Sequence, residues 1–268
     1  MFHFLELLGG TVWLRPYVFA FLGTYLALAT WHLGLGRAVV FLFLGYLISW
    51  TAEFSSINFG FPFGEYLYIP ATTERELWVA GVPFMDSLSY IFLAYASYTT
   101  ALIALAPVAP WTRPGSRFPL SDDPTLLGSW RTLVLGAVLM VTLDIVIDPV
   151  ALRGYRWFLG QIYGYPEGGV YFGITLSNFA GWFLVALVLI GILQVLARET
   201  PLTRRWGQWG RRRFPFQALL GPALYLGVLA FNLIITFFIG EATLGWVGVF
   251  IYLPFLSWLV LKVWPGRN

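Results

Sequence analysis

Cysteine is absent from the 268 residues, which excludes disulfides, thiolate metal sites and a cysteine nucleophile and leaves no redox clue to the compartment. Histidine occurs only as His3 and His32. That is too few for a membrane oxygenase holding paired iron with histidine clusters, and a haem or zinc site would have to be improvised from carboxylates. Charge is scarce as well: 11% of residues are charged against 59% hydrophobic, with a mean hydropathy of +0.75. A water-soluble domain cannot cover its surface from such a balance, so the chain reads as an integral membrane protein. Gly34-Leu35-Gly36-Arg37-Ala38-Val39 lacks the third glycine of a dinucleotide fingerprint and sits between apolar stretches, where it reads as a turn. The first fourteen residues have neither a basic start nor a small-residue cleavage site, so no removable signal peptide is expected.

What the sequence has instead is long apolar runs. At about twenty residues per crossing, helices are expected near 17–33, 38–57, 83–106, 130–149, 174–197, 216–239 and 244–263. The expected fold is all-α: a polytopic transmembrane helical bundle of about seven spans, forming a single integral membrane domain over 1–268, with long interfacial aromatic connections. Three connections are long, at 58–82, 107–129 and 150–173.

Orientation follows from the arginines. Arg198, Arg204, Arg205, Arg211, Arg212 and Arg213 crowd the connection between the fifth and sixth helices, which the positive-inside rule places in the cytoplasm. Propagating from that loop puts twelve basic residues inside, among them Arg37, Arg113, Arg117, Arg131, Lys262 and Arg267, against Arg15, Arg75, Arg153 and Arg156 outside. The amino terminus then faces outward and the carboxyl terminus the cytoplasm, across the inner membrane. The arginine run reads as a solvated loop touching anionic headgroups, not as a nucleic-acid site. Acidic residues show the opposite bias: only Asp122, Asp123 and Glu199 fall inside.

Four acids lie within helices or their last turns at similar depth: Glu53, Asp86, Asp144 and Asp148. One carboxylate in a span costs about 2.5–3.5 kcal/mol, so four in one leaflet need partners or a purpose. Asp144 and Asp148 are four apart and share a helical face, with Pro149 marking the helix end. Asn178 and Trp182 begin the fifth helix at the same level. If the acids are structural, they pair with Arg75, Arg153 and Arg156, or, for Asp86 after Pro83, cap a helix start. If they are functional, burial under an aromatic roof keeps a proton on one of them for general-acid chemistry on an apolar substrate. A magnesium-diphosphate reading of Asp144 and Asp148 fits poorly, because that side has few cationic clamps. His32, at the cytoplasmic end of the first helix, is expected to be an interfacial side chain. Of the aromatics, Tyr66, Tyr68, Trp157, Phe158, Tyr163, Tyr165, Phe179 and Trp182 are expected near the carboxylates, where their faces could line a channel for a polyene and stabilise a cation.

Gly60-Phe61-Pro62-Phe63-Gly64-Glu65-Tyr66, Val82-Pro83-Phe84-Met85-Asp86-Ser87-Leu88-Ser89, the run Asp144 to Pro149 continuing to Arg156-Trp157, and Asn178-Phe179-Ala180-Gly181-Trp182 resemble the membrane carotenoid-biosynthesis family typified by carotenoid 1,2-hydratases and bisanhydrobacterioruberin hydratase. The resemblance spans about residues 50–185. It implies an acyclic carotenoid substrate, a lipid setting and room for association with other enzymes of the pathway. It carries over no catalytic residue. The reaction it implies is hydration of a terminal double bond: protonation gives a tertiary cation that water captures, without cofactor or metal. On the depth and face reasoning, Asp144 or Asp148 is the acid and Glu53 or Asp86 positions the water. Tyr66, Tyr68, Trp157, Asn178, Phe179 and Trp182 then contact the substrate. Two rivals stand beside this reading: a carotenoid cyclase using the same cation, and a non-enzymatic carotenoid-binding or transport protein.

Overall fold

The computed structural model describes residues 2–106, 123–198, 209–213 and 216–263. Among them the helices are α1 (Phe2–Leu14), α2 (Pro16–Leu33), α3 (Leu35–Phe59), α4 (Phe84–Leu105), the single turn α5 (Pro124–Leu127), α6 (Trp130–Ala151), α7 (Leu176–Ala197), α8 (Gln217–Phe238) and α9 (Ala242–Val263). Helix is what the composition demands, because a chain in lipid must satisfy its backbone groups within the segment. Local residues then set the ends. Pro16 opens α2, where a missing N–H costs nothing. Ser129 and Thr175 cap α6 and α7 through their side-chain oxygens. Gly60 closes α3 in the left-handed conformation (φ 71°), its N–H bonded to the Ser56 carbonyl at 2.9 Å.

Six helices, α3, α4 and α6 to α9, are each long and apolar enough to cross a membrane. The expected span at 17–33 is the helix α2, but it reaches that measure only together with α1, from which it is bent by 92°. Helix α6 runs two residues past Pro149, which sits in its last turn and does not end it.

Helix α4 is the axis of the bundle. It packs on α2, α3, α6, α7 and α8, and from Tyr90 to Ala104 every side chain is buried. The other helices bury one face on it and leave Phe43, Leu47, Val188, Ile234 and Phe250 turned outward, as a lipid-facing surface permits.

The two long connections at one end of the bundle are stitched together. Strand β1 (Leu67–Tyr68) pairs antiparallel with β4 (Tyr163–Gly164), Leu67 opposite Gly164 and Tyr68 opposite Tyr163. Strands β2 (Trp78–Val79) and β3 (Val82–Pro83) form a hairpin that leads into α4. Phe63, fully buried, packs on Tyr90 and Trp182. A Cβ on Gly181 would come within 2.6 Å of the Phe63 ring and the Pro62 carbonyl. Gly181 thus lets residues 61–63 lie directly on α7.

The opposite end carries the basic residues. Arg198 donates to the Gly128 carbonyl at 3.0 Å, and residues 209–213 bond through their backbone to Trp31 and Leu35. Arg113, Arg117, Arg204, Arg205, Arg267, Asp122 and Glu199, with the side chain of Lys262, lie outside the described residues. His32 is buried, not interfacial, its Nδ1 3.4 Å from the Tyr95 hydroxyl.

Candidate functional site

A cavity of about 910 Å³, its mouth included, opens at the end of the bundle covered by β1 and β4. Its position follows from the helix directions: α3 and α6 end here while α4 and α7 begin, so Glu53, Asp86, Asp148 and Asn178 converge from four helices. Glu53, Asp86 and Asp148 all line it.

Asp148 is held by three donors. The Tyr163 hydroxyl meets Oδ1 at 2.9 Å, the Asn178 amide meets Oδ2 at 2.7 Å, and the Tyr165 hydroxyl lies 3.4 Å from Oδ2. The same Asn178 nitrogen also donates to Asp144 Oδ2 at 3.0 Å. One amide therefore serves both carboxyls, using one hydrogen for each. Asp144 stands one layer behind the cavity wall, fully buried, and its Oδ1 has no partner. On the other wall Tyr68 donates to Asp86 Oδ2 at 2.6 Å, and Ser87 donates to Glu53 Oε2 at 3.0 Å. Asp86 lies in the first turn of α4 without capping it through its side chain.

Among the described residues no ion pair includes any of these four acids. Arg153 and Arg156, the expected partners, turn instead to Glu241, with Arg153 Nε 3.3 Å from Oε1 and Arg156 closer. The tyrosines do not replace a cation. Burial, with Asp86 close to Tyr68 and Asp148 close to Tyr163 and Tyr165, pushes their phenols well above the ordinary tyrosine range. Tyr66 shifts the same way, chiefly by burial and then by Glu53. All four stay protonated and can only donate toward carboxylates.

Of the residues expected to touch substrate, Tyr66, Tyr68, Trp157, Asn178 and Trp182 line the cavity. Trp182 stacks on Tyr90 at 4.2 Å, 9° from parallel. Phe179 does not reach the cavity wall; it packs edge-on against Tyr171 at 5.7 Å. Phe179 follows Asn178 by a single residue, about 100° around the helix, which turns its ring away from the direction in which Asn178 reaches Asp148.

Two features gave little or no sequence signal. One is the cavity's aromatic flank, where Tyr17, Phe21 and Phe231 join the wall from α2 and α8; these are ordinary apolar positions of their spans. The other is a buried ion pair beside the site. Arg15 Nε and Nη2 each meet a Glu76 oxygen at 2.9 Å, and Nη1 donates to the Leu159 carbonyl. Arg15 and Glu76 are 1% and 0% exposed, and they tie the α1–α2 bend to the connection before α4. The only clue was an arginine placed just before the helix-starting Pro16.

A family model described as "Carotenoid biosynthesis protein" matches residues 14–254, nearly the whole chain. Comparison with curated proteins and with solved structures returned no match.

Proposed function

Because the chain belongs to the family of carotenoid biosynthesis proteins, we propose that it adds water across the terminal trisubstituted double bond of an acyclic carotenoid, with Asp148 as the acid. The observation that carries this reading is Asp148 on the wall of an aromatic cavity, beside two further acids and in no ion pair among the described residues. A carboxyl in that setting supplies a proton to an alkene; an ion-paired carboxylate would not.

The alkene π electrons take the Asp148 proton at the less substituted carbon, and its neighbour becomes a tertiary cation. The faces of Trp182, Tyr90 and Tyr66 on the cavity wall favour that positive charge. Water then forms the C–O bond and passes its extra proton to Asp86 or Glu53. Alkene plus water gives a tertiary alcohol, redox-neutral throughout, and a proton returned through water resets Asp148. Asp144, tied to Asp148 through Asn178, shares the proton of the pair and keeps it at this end of the bundle. The positive-inside rule places the acid end outside the cytoplasm, with the amino terminus outward and the carboxyl terminus inside, in the inner membrane. Water reaches the cation from that side while the polyene stays in lipid.

Ring closure would start from the same cation. The phenol hydroxyls of Tyr66, Tyr68, Tyr163 and Tyr165 around the acids supply water-binding groups here, which favours capture by water. Expression in a lycopene-producing host tests the choice. A product heavier by one water is expected; unchanged mass with a new absorption band means cyclisation. Hydrated product at wild-type level from both Asp144→Asn and Asp148→Asn would remove the acid assignment.

A further inference from the structure

The cavity has a second wall built mainly of aromatic rings, and it lies at a seam between helices. Tyr17 and Phe21 of α2 face Phe231 of α8, and all three line the cavity while remaining half-buried. Tyr17 stacks on Phe231 at 5.1 Å and 19°, and Phe21 meets the same ring edge-on at 5.8 Å. Their helix neighbours Ala20 and Thr24, and Gly227, Ala230 and Ile234, are exposed on the outside of the bundle. The three rings therefore stand at the boundary between the cavity and the lipid-facing surface, with one layer of side chain between them. Among the described residues none of the three makes a hydrogen bond or ion pair across this seam; they meet through ring faces and edges, contacts worth about 0.5–1.5 kcal/mol each.

We propose that a long conjugated hydrocarbon enters the cavity sideways from the lipid between α2 and α8, with Tyr17 and Phe231 as the gate. The proposal rests on the reading of the cavity as a carotenoid site. Its chemistry is that of the rings themselves: they part, and a flat polyene takes up the stacking they give up. The end group then reaches Asp148 while the rest of the chain extends back into the bilayer through the seam. This removes the need to pass an apolar molecule through the water at the mouth beneath β1 and β4. Trp157, which lies 6.1 Å from Tyr17 and 6.4 Å from Phe231, closes the same seam at its acid end.

The absence of cysteine makes the test direct. Phe231→Cys is labelled in detergent with a bulky maleimide, reconstituted into phosphatidylcholine vesicles containing lycopene, and lycopene uptake is followed by the shift of its absorption bands, a readout that needs no reaction. Labelled and unlabelled Phe231→Cys are compared with each other and by their unfolding temperatures, so that loss on labelling without a change in unfolding temperature reports blockage by the added group and not the substitution or misfolding. Val188→Cys, on the exposed face of α7, carries the same label as control and is expected to keep its uptake. Undiminished uptake by labelled Phe231→Cys, or equal loss from the Val188 label, overturns the gate. Gated uptake without any hydrated product would sink the proposed reaction and leave the gate standing; hydrated product with ungated uptake would do the reverse.

Discussion

Two groups of buried or half-buried carboxyls sit within the same end of the bundle and are treated in opposite ways. Glu76 receives a two-pronged guanidinium from Arg15. Among the described residues, Asp148, Asp144, Asp86 and Glu53 receive an amide, phenols and a serine hydroxyl. The first arrangement neutralises a charge and fastens the α1–α2 bend to its neighbouring connection. The second leaves proton-bearing groups next to open space. What separates scaffold from site here is the partner supplied, since depth and residue type are nearly the same.

The widest separation is expected from removing one acid of each kind. Asp148→Asn keeps the side-chain shape, and Tyr163, which can turn its hydrogen to the residue 148 carbonyl at 3.0 Å, can accept from the new amide in place of Oδ1, so the fold holds while hydrated product falls by about 10²–10⁴-fold. Pigment mass spectrometry with a thermal-unfolding control reads both. Glu76→Gln should do the converse: a buried guanidinium left unpaired costs about 3–5 kcal/mol, seen as a lowered unfolding temperature in detergent. Replacing both partners, Arg15→Met with Glu76→Met, should recover much of that loss, whereas no change at Arg15 rescues Asp148→Asn. If the double replacement restores nothing, the pair does more than hold the fold and the contrast fails.

Smaller effects sharpen the comparison. Tyr163→Phe removes one donor to Asp148, about 1.5–3 kcal/mol for a bond to a charged acceptor, and should slow product formation roughly ten- to a hundredfold with little change in unfolding temperature. Phe179→Ala, at a ring that does not line the cavity, should leave the product yield within about twofold and lose the ring contact with Tyr171, about 0.5–1.5 kcal/mol.

The spans were legible because twenty apolar residues leave a chain in lipid no choice but helix, and their starts and ends fell within a few residues of the expected ones. The same-face reasoning also served at Asp144 and Asp148, which meet one Asn178 amide. Phe179, expected near the carboxylates, packs on Tyr171 and does not line the cavity, because neighbours in sequence on a helix point in different directions. Helix α1 escaped notice because its thirteen residues are too few for a crossing. Pairing between β1 and β4, the Arg15–Glu76 contact and the turning of Arg153 and Arg156 to Glu241 join segments far apart in the chain. No local pattern encodes such meetings, and a carboxylate offered several arginines gives no sign of which it takes.

The pairing of β1 with β4 carries a consequence for biogenesis. Glu53, Asp86 and Asp144 all leave the ribosome before Tyr163 and Gly164, the residues against which Tyr68 and Leu67 must lie. During synthesis the acids stand uncovered in a half-built bundle, and only the arrival of the later connection draws the earlier one across them. The chamber's roof can therefore close only once residue 164 has been added.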